Sequence, residues 1–86
     1  MPDLSIVYFA WVREAIGTDG ETIERPAEDA TVADLVAALA ARGGGYAQAF
    51  GDMSRLRAAL DQRFVAMNCV IGDARELALF PPVTGG

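Results

Sequence analysis

The spacing of apolar residues in the first quarter of the chain predicts a β-hairpin. Residues 4–10 are rich in β-forming side chains and alternate between two faces that are both largely apolar, which favours a central strand. Residues 11–16 and the turn residues at positions 17–20 follow as an irregular loop. A second strand is predicted over residues 21–25, and Pro26 ends it.

Thr31 begins the clearest helix pattern in the sequence. Thr31 and Asp34 have the spacing of a capping box, with Asp in place of the usual Glu. One apolar stripe with helical spacing follows, formed by Val32, Leu35, Val36 and Leu39. Three glycines at positions 43–45 end the predicted helix.

Shorter elements are predicted in the second half of the chain. Residues 46–50 indicate a short helical turn that places one aromatic side chain inward. Residues 55–60 combine helix-forming residues with the alternation of a strand, and their context favours a strand. A tight turn at Asp61 and Gln62 then leads to a return strand over residues 64–67.

A final strand is predicted over residues 76–80, between a glycine turn and a pair of prolines. The order of strand, strand, helix and further strands predicts an α+β fold of the ubiquitin-like β-grasp type. In this roll, one main helix packs across a mixed sheet. We therefore expect one β-grasp domain over residues 1–80 and a flexible tail over residues 81–86.

The charge of the chain argues against a nucleic-acid or membrane partner. Its 86 residues include 12 acidic and 7 basic side chains, so the net charge is −5. A field of that sign repels nucleic-acid phosphates and anionic membrane surfaces. No apolar run reaches the roughly 18 residues of a membrane span, and no leader opens the chain, so we expect a cytoplasmic protein.

Several classes of catalytic site are excluded by side chains that the sequence lacks. The chain has no His, which excludes Ser-His-Asp relays and zinc sites built on imidazole. All seven basic residues are Arg, so no Lys is available for a Schiff base or a phosphate-binding P-loop. Cys69 is the single cysteine and is interpreted as a packed structural thiol. We expect no metal site.

The end of the chain has the chemistry of an extended segment that carries a chemical group to another protein. Downstream of Glu76 no side chain is ionisable, so the terminal carboxylate of Gly86 is the only charge. Pro81 and Pro82 favour an extended conformation, and the six residues from Pro81 reach about 20 Å at most. Gly85 and Gly86 lack Cβ atoms and can pass a narrow channel. Adenylation by ATP would activate the carboxylate, and a sulfur donor would convert it to a thiocarboxylate, which makes the chain a group carrier.

Both ends of the sequence resemble one known family. Residues 79–86, with the sequence LFPPVTGG, are similar to the terminal signature of the small subunit of molybdopterin synthase. Residues 8–14, with the sequence YFAWVRE, and the following Ile16 and Gly17 resemble the first strand and the Arg-Glu loop of that family. The resemblance therefore spans essentially the whole chain.

The resemblance implies a non-catalytic sulfur-carrier subunit. An E1-like adenylyltransferase would consume ATP to adenylate Gly86, a persulfide protein would supply sulfur, and no cofactor would be bound permanently. The tail would then enter a large catalytic subunit, in an assembly of two small and two large subunits. The inserted residues would be Pro81, Pro82, Val83, Thr84 and Gly85. Sulfur transfer to cyclic pyranopterin monophosphate would build the dithiolene of molybdopterin.

The family pattern also implies partner contacts beside the tail. The residues concerned are Phe9, Arg13, Phe64 and Phe80. Phe9 and Phe64 could equally be core residues of short strands, and Arg13 could equally be a solvated surface charge. At the root of the tail, Phe80 favours an interface because aromatic residues are enriched in interface cores.

Other functions stay open on the residues alone. Gly-Gly tails on the same fold also serve thiamin thiazole synthesis and tRNA thiolation. The sequence FPPVT at positions 80–84 argues against these two functions. A protein modifier would attach its terminal carboxyl to lysines of other proteins, although a chain without Lys could not build lysine-linked chains on itself. The remaining alternative is an interaction module with a flexible end.

Overall fold

Within residues 3–82, which the computed structural model describes, the chain forms one five-stranded sheet and three α-helices. In chain order the elements are β1 (Leu4–Tyr8), α1 (Ala10–Ile16), β2 (Gly20–Ile23), α2 (Val32–Ala40), α3 (Gly44–Phe50), β3 (Arg57–Leu60), β4 (Arg63–Val65) and β5 (Glu76–Phe80). A 3₁₀ helix, Met53–Arg55, precedes β3.

The strands lie in the order β2-β1-β5-β3-β4. β5 is parallel to β1 and antiparallel to β3, so the sheet is mixed. β1 lies between β2 and β5, which confirms the prediction of a central first strand. The predicted α+β fold of the β-grasp type is confirmed, with α2 as its longest helix. The last strand therefore lies in the middle of the sheet, and the tail leaves the fold from there.

All three helices cover the same face of the sheet and enclose one hydrophobic core. The helices contribute Val12, Val32, Leu35, Val36, Leu39, Ala49 and Phe50 to it, and the strands contribute Leu4, Ile6, Tyr8, Ala58, Leu60, Leu77 and Leu79. The apolar stripe predicted on α2 is thus confirmed in full. The capping box is also confirmed, because Thr31 Oγ1 accepts a hydrogen bond from the Asp34 amide at 3.1 Å and Asp34 Oδ2 accepts one from the Thr31 amide at 3.0 Å.

The predicted irregular loop over residues 11–16 is wrong, because these residues belong to α1. Only Val12 is fully buried in this seven-residue helix, although Trp11, Ala15 and Ile16 also pack against the core. Their helical spacing extends over too few residues to decide against a loop. Packing against α3 stabilises the helix, through a close approach of the backbones at Gly45 and Ala15. As a consequence, β1 ends at Tyr8 rather than at residue 10.

The shorter predicted elements lie close to their expected positions. Residues 46–50 fall within α3, where Phe50 is the buried aromatic side chain. The predicted strand over residues 55–60 is β3, which starts two residues later, and the return strand is β4. Asp61 and Gln62 form the tight turn between them with φ of 48° and 70°, the left-handed angles of a two-residue hairpin.

Candidate functional site at the root of the tail

The described part of the tail begins where β5 ends at Phe80. Pro81 and Pro82 follow without regular secondary structure, and both are half-buried. The predicted carrier residue Gly86 and the predicted inserted residues Val83, Thr84 and Gly85 lie outside the described residues. The geometry of the site is therefore that of the surface from which the tail departs.

This surface belongs to the face of the sheet that the helices leave open. Side chains alternate along β5, so Leu77 and Leu79 contact the helices while Ala78 and Phe80 point to the opposite face. A row of apolar residues crosses the open face in register. It consists of Val7, Ala78, Ala59 and Phe64 on neighbouring strands. The open face thus has a small, flat apolar floor beside the tail.

Two aromatic side chains border this floor next to the tail. The rings of Phe64 and Phe80 lie with their centroids 5.7 Å apart at an angle of 45°, which is a favourable tilted pair. Phe64 is 82% exposed, the largest exposure among the bulky apolar residues of the described range. An aromatic side chain that a folded domain leaves in water at such a position is typical of a protein interface.

A groove of about 280 Å³ lies between these rings and the start of the tail. Its lining is formed by Arg57, Ala58, Phe64, Val65, Phe80 and Pro82. We call Arg57, Phe64, Val65, Phe80 and Pro82 the tail-root surface. This surface offers a partner an apolar recess with one cation at its border.

Phe9 stands beside the tail-root surface, as the sequence predicts. Its amide donates a hydrogen bond to the carbonyl of Leu79 at 3.2 Å, and its side chain is 48% exposed. The next residue, Ala10, has a φ of 55°, in the left-handed region that an L-residue adopts at a cost. Backbone bonds on both sides of this bend hold Phe9 at the sheet's end, since its carbonyl accepts from the amide of Val12 at 3.1 Å.

Arg13 is exposed on α1, one helical turn after Phe9. Within the described residues its side chain has no hydrogen bond or ion pair. The structure therefore brings Phe64, Phe80 and Phe9 together at the root of the tail and leaves Arg13 at the edge of that region. For Phe9 and Phe64, the reading as core residues is wrong, because both remain exposed.

Reasoning from the sequence missed Arg57, Val65, Arg55 and Trp11. Arg57 faces Phe80 across the β3–β5 pair, and the guanidinium carbon of Arg55 lies 4.9 Å from the centroid of the Trp11 ring. The alternation in β3 could have placed Arg57 on the face opposite to Leu56 and Ala58. No pattern in the sequence relates Arg55 to Trp11, because that contact joins distant segments.

A polar cluster on the helix-covered face has a structural role. Glu21 on β2 accepts hydrogen bonds from the hydroxyls of Tyr8 at 2.8 Å and Tyr46 at 2.7 Å, and from Arg42 at 2.9 Å. Burial of the Glu21 carboxyl opposes its ionisation, but hydrogen bonds from Tyr46, Arg42 and Tyr8 outweigh this and lower its pKa. Burial, together with the hydrogen bond to Glu21, raises the pKa of Tyr8. The cluster ties the edge strand β2 to β1, to α3 and to the turn between α2 and α3.

A second groove, of about 680 Å³, lies on another part of the surface. Arg25 lines it, but its guanidinium donates to the carbonyls of Gly72 at 2.9 Å and Ala74 at 2.7 Å. These bonds fix the turn before β5. In residues 3–82, no group of three or more potential metal ligands comes together, and no helix is long and apolar enough to cross a membrane.

Comparison with known proteins places the chain in a family. The model of the ThiS family matches residues 6–86. The chain belongs to the ThiS family. This ThiS-family match includes the tail as well as the sheet from β1 onward, so it covers both the described surface and the terminal glycines.

Two curated relatives of this ThiS-family chain carry the same name, molybdopterin synthase sulfur carrier subunit. The protein from Escherichia coli is 39% identical over 96% of this chain and 99% of its own length. The protein from Haemophilus influenzae is 34% identical over 96% of this chain and 99% of its own length. The resemblance to the small subunit of molybdopterin synthase is thereby confirmed.

The fold also occurs among solved structures. The crystal structure of SAMP1 from Haloferax volcanii, a small archaeal modifier protein, superposes with a TM-score of 0.66. It is 24% identical and aligns over 98% of this chain and 99% of its own. At this identity the likeness shows the fold alone.

Proposed function

We propose that this chain is the sulfur-carrier subunit of molybdopterin synthase and that the carboxyl group of Gly86 carries the sulfur as a thiocarboxylate. The observation that carries the proposal is the likeness, at nearly full length, to two proteins named molybdopterin synthase sulfur carrier subunit. The departure of the tail from an exposed aromatic surface supports it.

Activation of the tail requires a better leaving group than the oxygen of a carboxylate. An E1-like adenylyltransferase would join the Gly86 carboxylate to the α-phosphate of ATP and release pyrophosphate. The terminal sulfur of a persulfide protein would then attack the acyl carbon and displace AMP. A thiol would cleave the resulting acyl disulfide, which leaves the thiocarboxylate on Gly86 and a disulfide on the donor.

Delivery of the sulfur depends on where the tail is anchored. β5 is held on both sides by β1 and β3, so the root of the tail is fixed in the centre of the sheet. Residues 81–86 extend at most about 20 Å from this root, so the partner must cover the tail-root surface to take up the tip. In our proposal, this partner is the large catalytic subunit in a two-plus-two assembly.

In the large subunit, the thiocarboxylate of Gly86 would transfer sulfur to cyclic pyranopterin monophosphate and build the dithiolene of molybdopterin. The chain itself contains no His and no Lys. Proton transfers and substrate binding would thus depend on residues of the large subunit, while this chain positions the sulfur.

Intact-mass spectrometry tests the proposal directly. The chain is incubated with an E1-like adenylyltransferase, ATP and a persulfide donor, and a reaction without ATP serves as control. We expect the mass to rise by the difference between sulfur and oxygen, and tandem spectra to locate the change at Gly86. A chain that never exchanges oxygen for sulfur contradicts the carrier function.

Deletion of the last residue tests sulfur transfer separately from folding. A chain that lacks Gly86 still ends in a glycine carboxylate but has a shorter arm. We expect it to lose sulfur transfer to cyclic pyranopterin monophosphate while circular dichroism and the unfolding midpoint stay unchanged. Equal transfer by the truncated and the full-length chain would refute the role of Gly86.

A further inference from the structure

Two arginines lie toward the end of the sheet at which the tail begins. Arg57 on β3 is paired in register with Phe80, the last residue of β5. Arg55 is two residues earlier, at the end of the 3₁₀ helix, and stacks over Trp11 at the start of α1. β3 and the 3₁₀ helix before it therefore supply the two arginines, and α1 supplies the ring on which Arg55 stacks.

Neither arginine is neutralised by a carboxylate of the described chain. Among residues 3–82, the only ion pair joins Arg42 to Glu21, away from the tail. Hydrogen bonds from Ser54 lower the pKa of Asp52, and Arg55 is close enough for its charge to help lower it, but Asp52 and Arg55 form no ion pair. Oδ1 of Asp52 accepts hydrogen bonds from the amide of Ser54 at 3.0 Å and from the Ser54 hydroxyl at 2.6 Å. Most arginines of the described chain lack an ion pair, so what distinguishes Arg57 is its position in register with Phe80 at the root of the tail, with Arg55 two residues before it.

Both guanidinium groups are held in place before any partner arrives. Arg57 donates from Nη1 to the carbonyls of Leu56 at 2.8 Å and Ser54 at 3.4 Å. The plane of the Trp11 ring holds Arg55 by a cation–π contact. Each side chain still has N–H groups free of hydrogen bonds within the described residues. A side chain that is already ordered loses less entropy on binding.

We propose that Arg55 and Arg57, the arginine rim, pair with carboxylate side chains at the entrance of the partner's tail-binding pocket. The inference rests on the proposed function, which supplies the large subunit as the partner. An apolar centre formed by Phe64 and Phe80 with charged residues at its border is the usual anatomy of a protein interface, and Arg is enriched there.

The length of the tail decides which negative groups the arginine rim meets. The reacting carboxyl group lies up to about 20 Å from Pro81, deep in the partner. Phosphates of a substrate bound at the tip are thus distant from the root. The rim instead contacts the outer border of the pocket, where acidic side chains of the partner protein are the matching groups.

The test compares association kinetics with the large subunit at low and high salt. The double variant Arg55→Gln/Arg57→Gln is measured against unaltered chain, with the signal from Trp11, the single tryptophan. We expect the association rate constant to fall about three- to tenfold at low ionic strength, and the difference to close at high salt because screening removes the attraction. The variant's circular dichroism is recorded to show that it is folded.

Two further variants sharpen the result. Arg63→Gln removes the same charge from the exposed start of β4, at the other end of the β3–β4 hairpin, and should leave the association rate unchanged. Arg55→Lys keeps the charge but loses the planar group that stacks on Trp11, so we expect a normal association rate and faster dissociation.

Each outcome bears on the inference. The arginine rim is overturned if the double variant associates as fast as Arg63→Gln. It is also overturned if the double variant associates more slowly by the same factor at high salt as at low salt. Failure of the unaltered chain to bind the large subunit at all overturns the proposed function together with the rim. Binding by the unaltered chain with no effect of the double variant overturns the rim alone.

Discussion

Phe64 is a bulky apolar residue that contributes little to the stability of the fold. Its side chain lies on the open face of the sheet, where Ala59 and Ala78 provide only a shallow floor and Phe80 the single aromatic contact. An exposure of 82% means that folding gains little from its hydrophobic surface. When a second protein covers the ring, burial of this hydrophobic surface contributes to the free energy of binding.

Replacement of Phe64 by Ala should therefore separate binding from stability. We expect the free energy of unfolding to fall by less than about 1 kcal/mol, the value of the ring pair with Phe80. The affinity for the large subunit should fall by more than about tenfold, as for an aromatic interface residue. Urea unfolding and isothermal titration calorimetry measure the two effects.

Val70→Ala is the matched control, because Val70 is an exposed apolar residue outside the tail-root surface. Val70→Ala should change neither the free energy of unfolding nor the affinity for the large subunit appreciably. An affinity loss in Val70→Ala as large as that in Phe64→Ala would mean that the docking surface lies elsewhere.

At the scale of elements, α1 and α3 stabilise each other. Each has seven residues, too short for a helix that is stable in isolation. Their backbones approach so closely at Gly45 that a Cβ atom there would overlap the carbonyl oxygen of Ala15. The two short helices thus form by packing, and α1 in turn holds Trp11 beside the arginine rim.

Gly45→Ala should destabilise the protein even though Ala is the better helix former. Helix propensity favours Ala by roughly 1 kcal/mol, whereas overpacking against an inflexible backbone costs about 1–3 kcal/mol. We expect a net loss of up to about 2 kcal/mol in chemical unfolding. Gln48→Ala, at an exposed position of the same helix, should stay within about 0.5 kcal/mol of the unaltered chain.

The capping box of α2 gives a second prediction at this scale. Thr31→Ala removes the acceptor for the Asp34 amide and leaves that donor without its partner at the helix start. We expect a loss of about 1 kcal/mol in the free energy of unfolding. Thr31→Ser should retain most of the stability, and if it were as destabilised as Thr31→Ala, the hydroxyl would not be the cause.

At the scale of the whole molecule, the two faces of the sheet differ in which residues they bury and which they expose. The core and the Glu21 cluster lie on the helix-covered face, while the exposed aromatic residues and the tail root belong to the open face. Changes of pH act on the Glu21 cluster of the helix-covered face. In the Glu21 cluster, one carboxylate accepts hydrogen bonds from β1, α3 and the turn between α2 and α3, so its ionisation is linked to global folding.

The sign of the pH effect follows from the lowered pKa of Glu21. A carboxyl group whose pKa is lower in the folded chain contributes stability above its ordinary value of 4.5, and this contribution is lost as the pH falls through the folded pKa. We expect Glu21→Gln to be less stable than the unaltered chain at pH 7, with a difference that shrinks below about pH 4.5. Glu24→Gln, at an exposed carboxyl, is the control.

Unfolding curves recorded between pH 3 and pH 8 would measure this difference. A constant gap between Glu21→Gln and the unaltered chain across that range would contradict the linkage. At alkaline pH, the raised pKa of Tyr8 has the opposite sign: its contribution is present below its ordinary value of 10 and is lost as the pH rises further.

Much of the fold could be predicted from the sequence, because its signals are local. The alternation in β1, the capping box at Thr31 and the stripe on α2 depend on residues within a few positions of one another. The helix α1 could not be predicted in this way. Its apolar residues have helical spacing, but seven residues are too few for that pattern to decide, and its stability depends on contacts with α3, which is distant in sequence.

The sequence by itself determined the chemistry of the tail: an arm without ionisable side chains that ends in a glycine carboxylate, on a chain without His or Lys. Through the family resemblance it also favoured Phe80 as an interface residue, while it left Phe64 open between core and interface. Only the tertiary structure decided that Phe64, Phe80 and Arg57 share one surface and that Arg55 of the 3₁₀ helix stacks on Trp11 of α1. Such neighbours come from strand register and helix packing, which depend on the whole core rather than on adjacent residues.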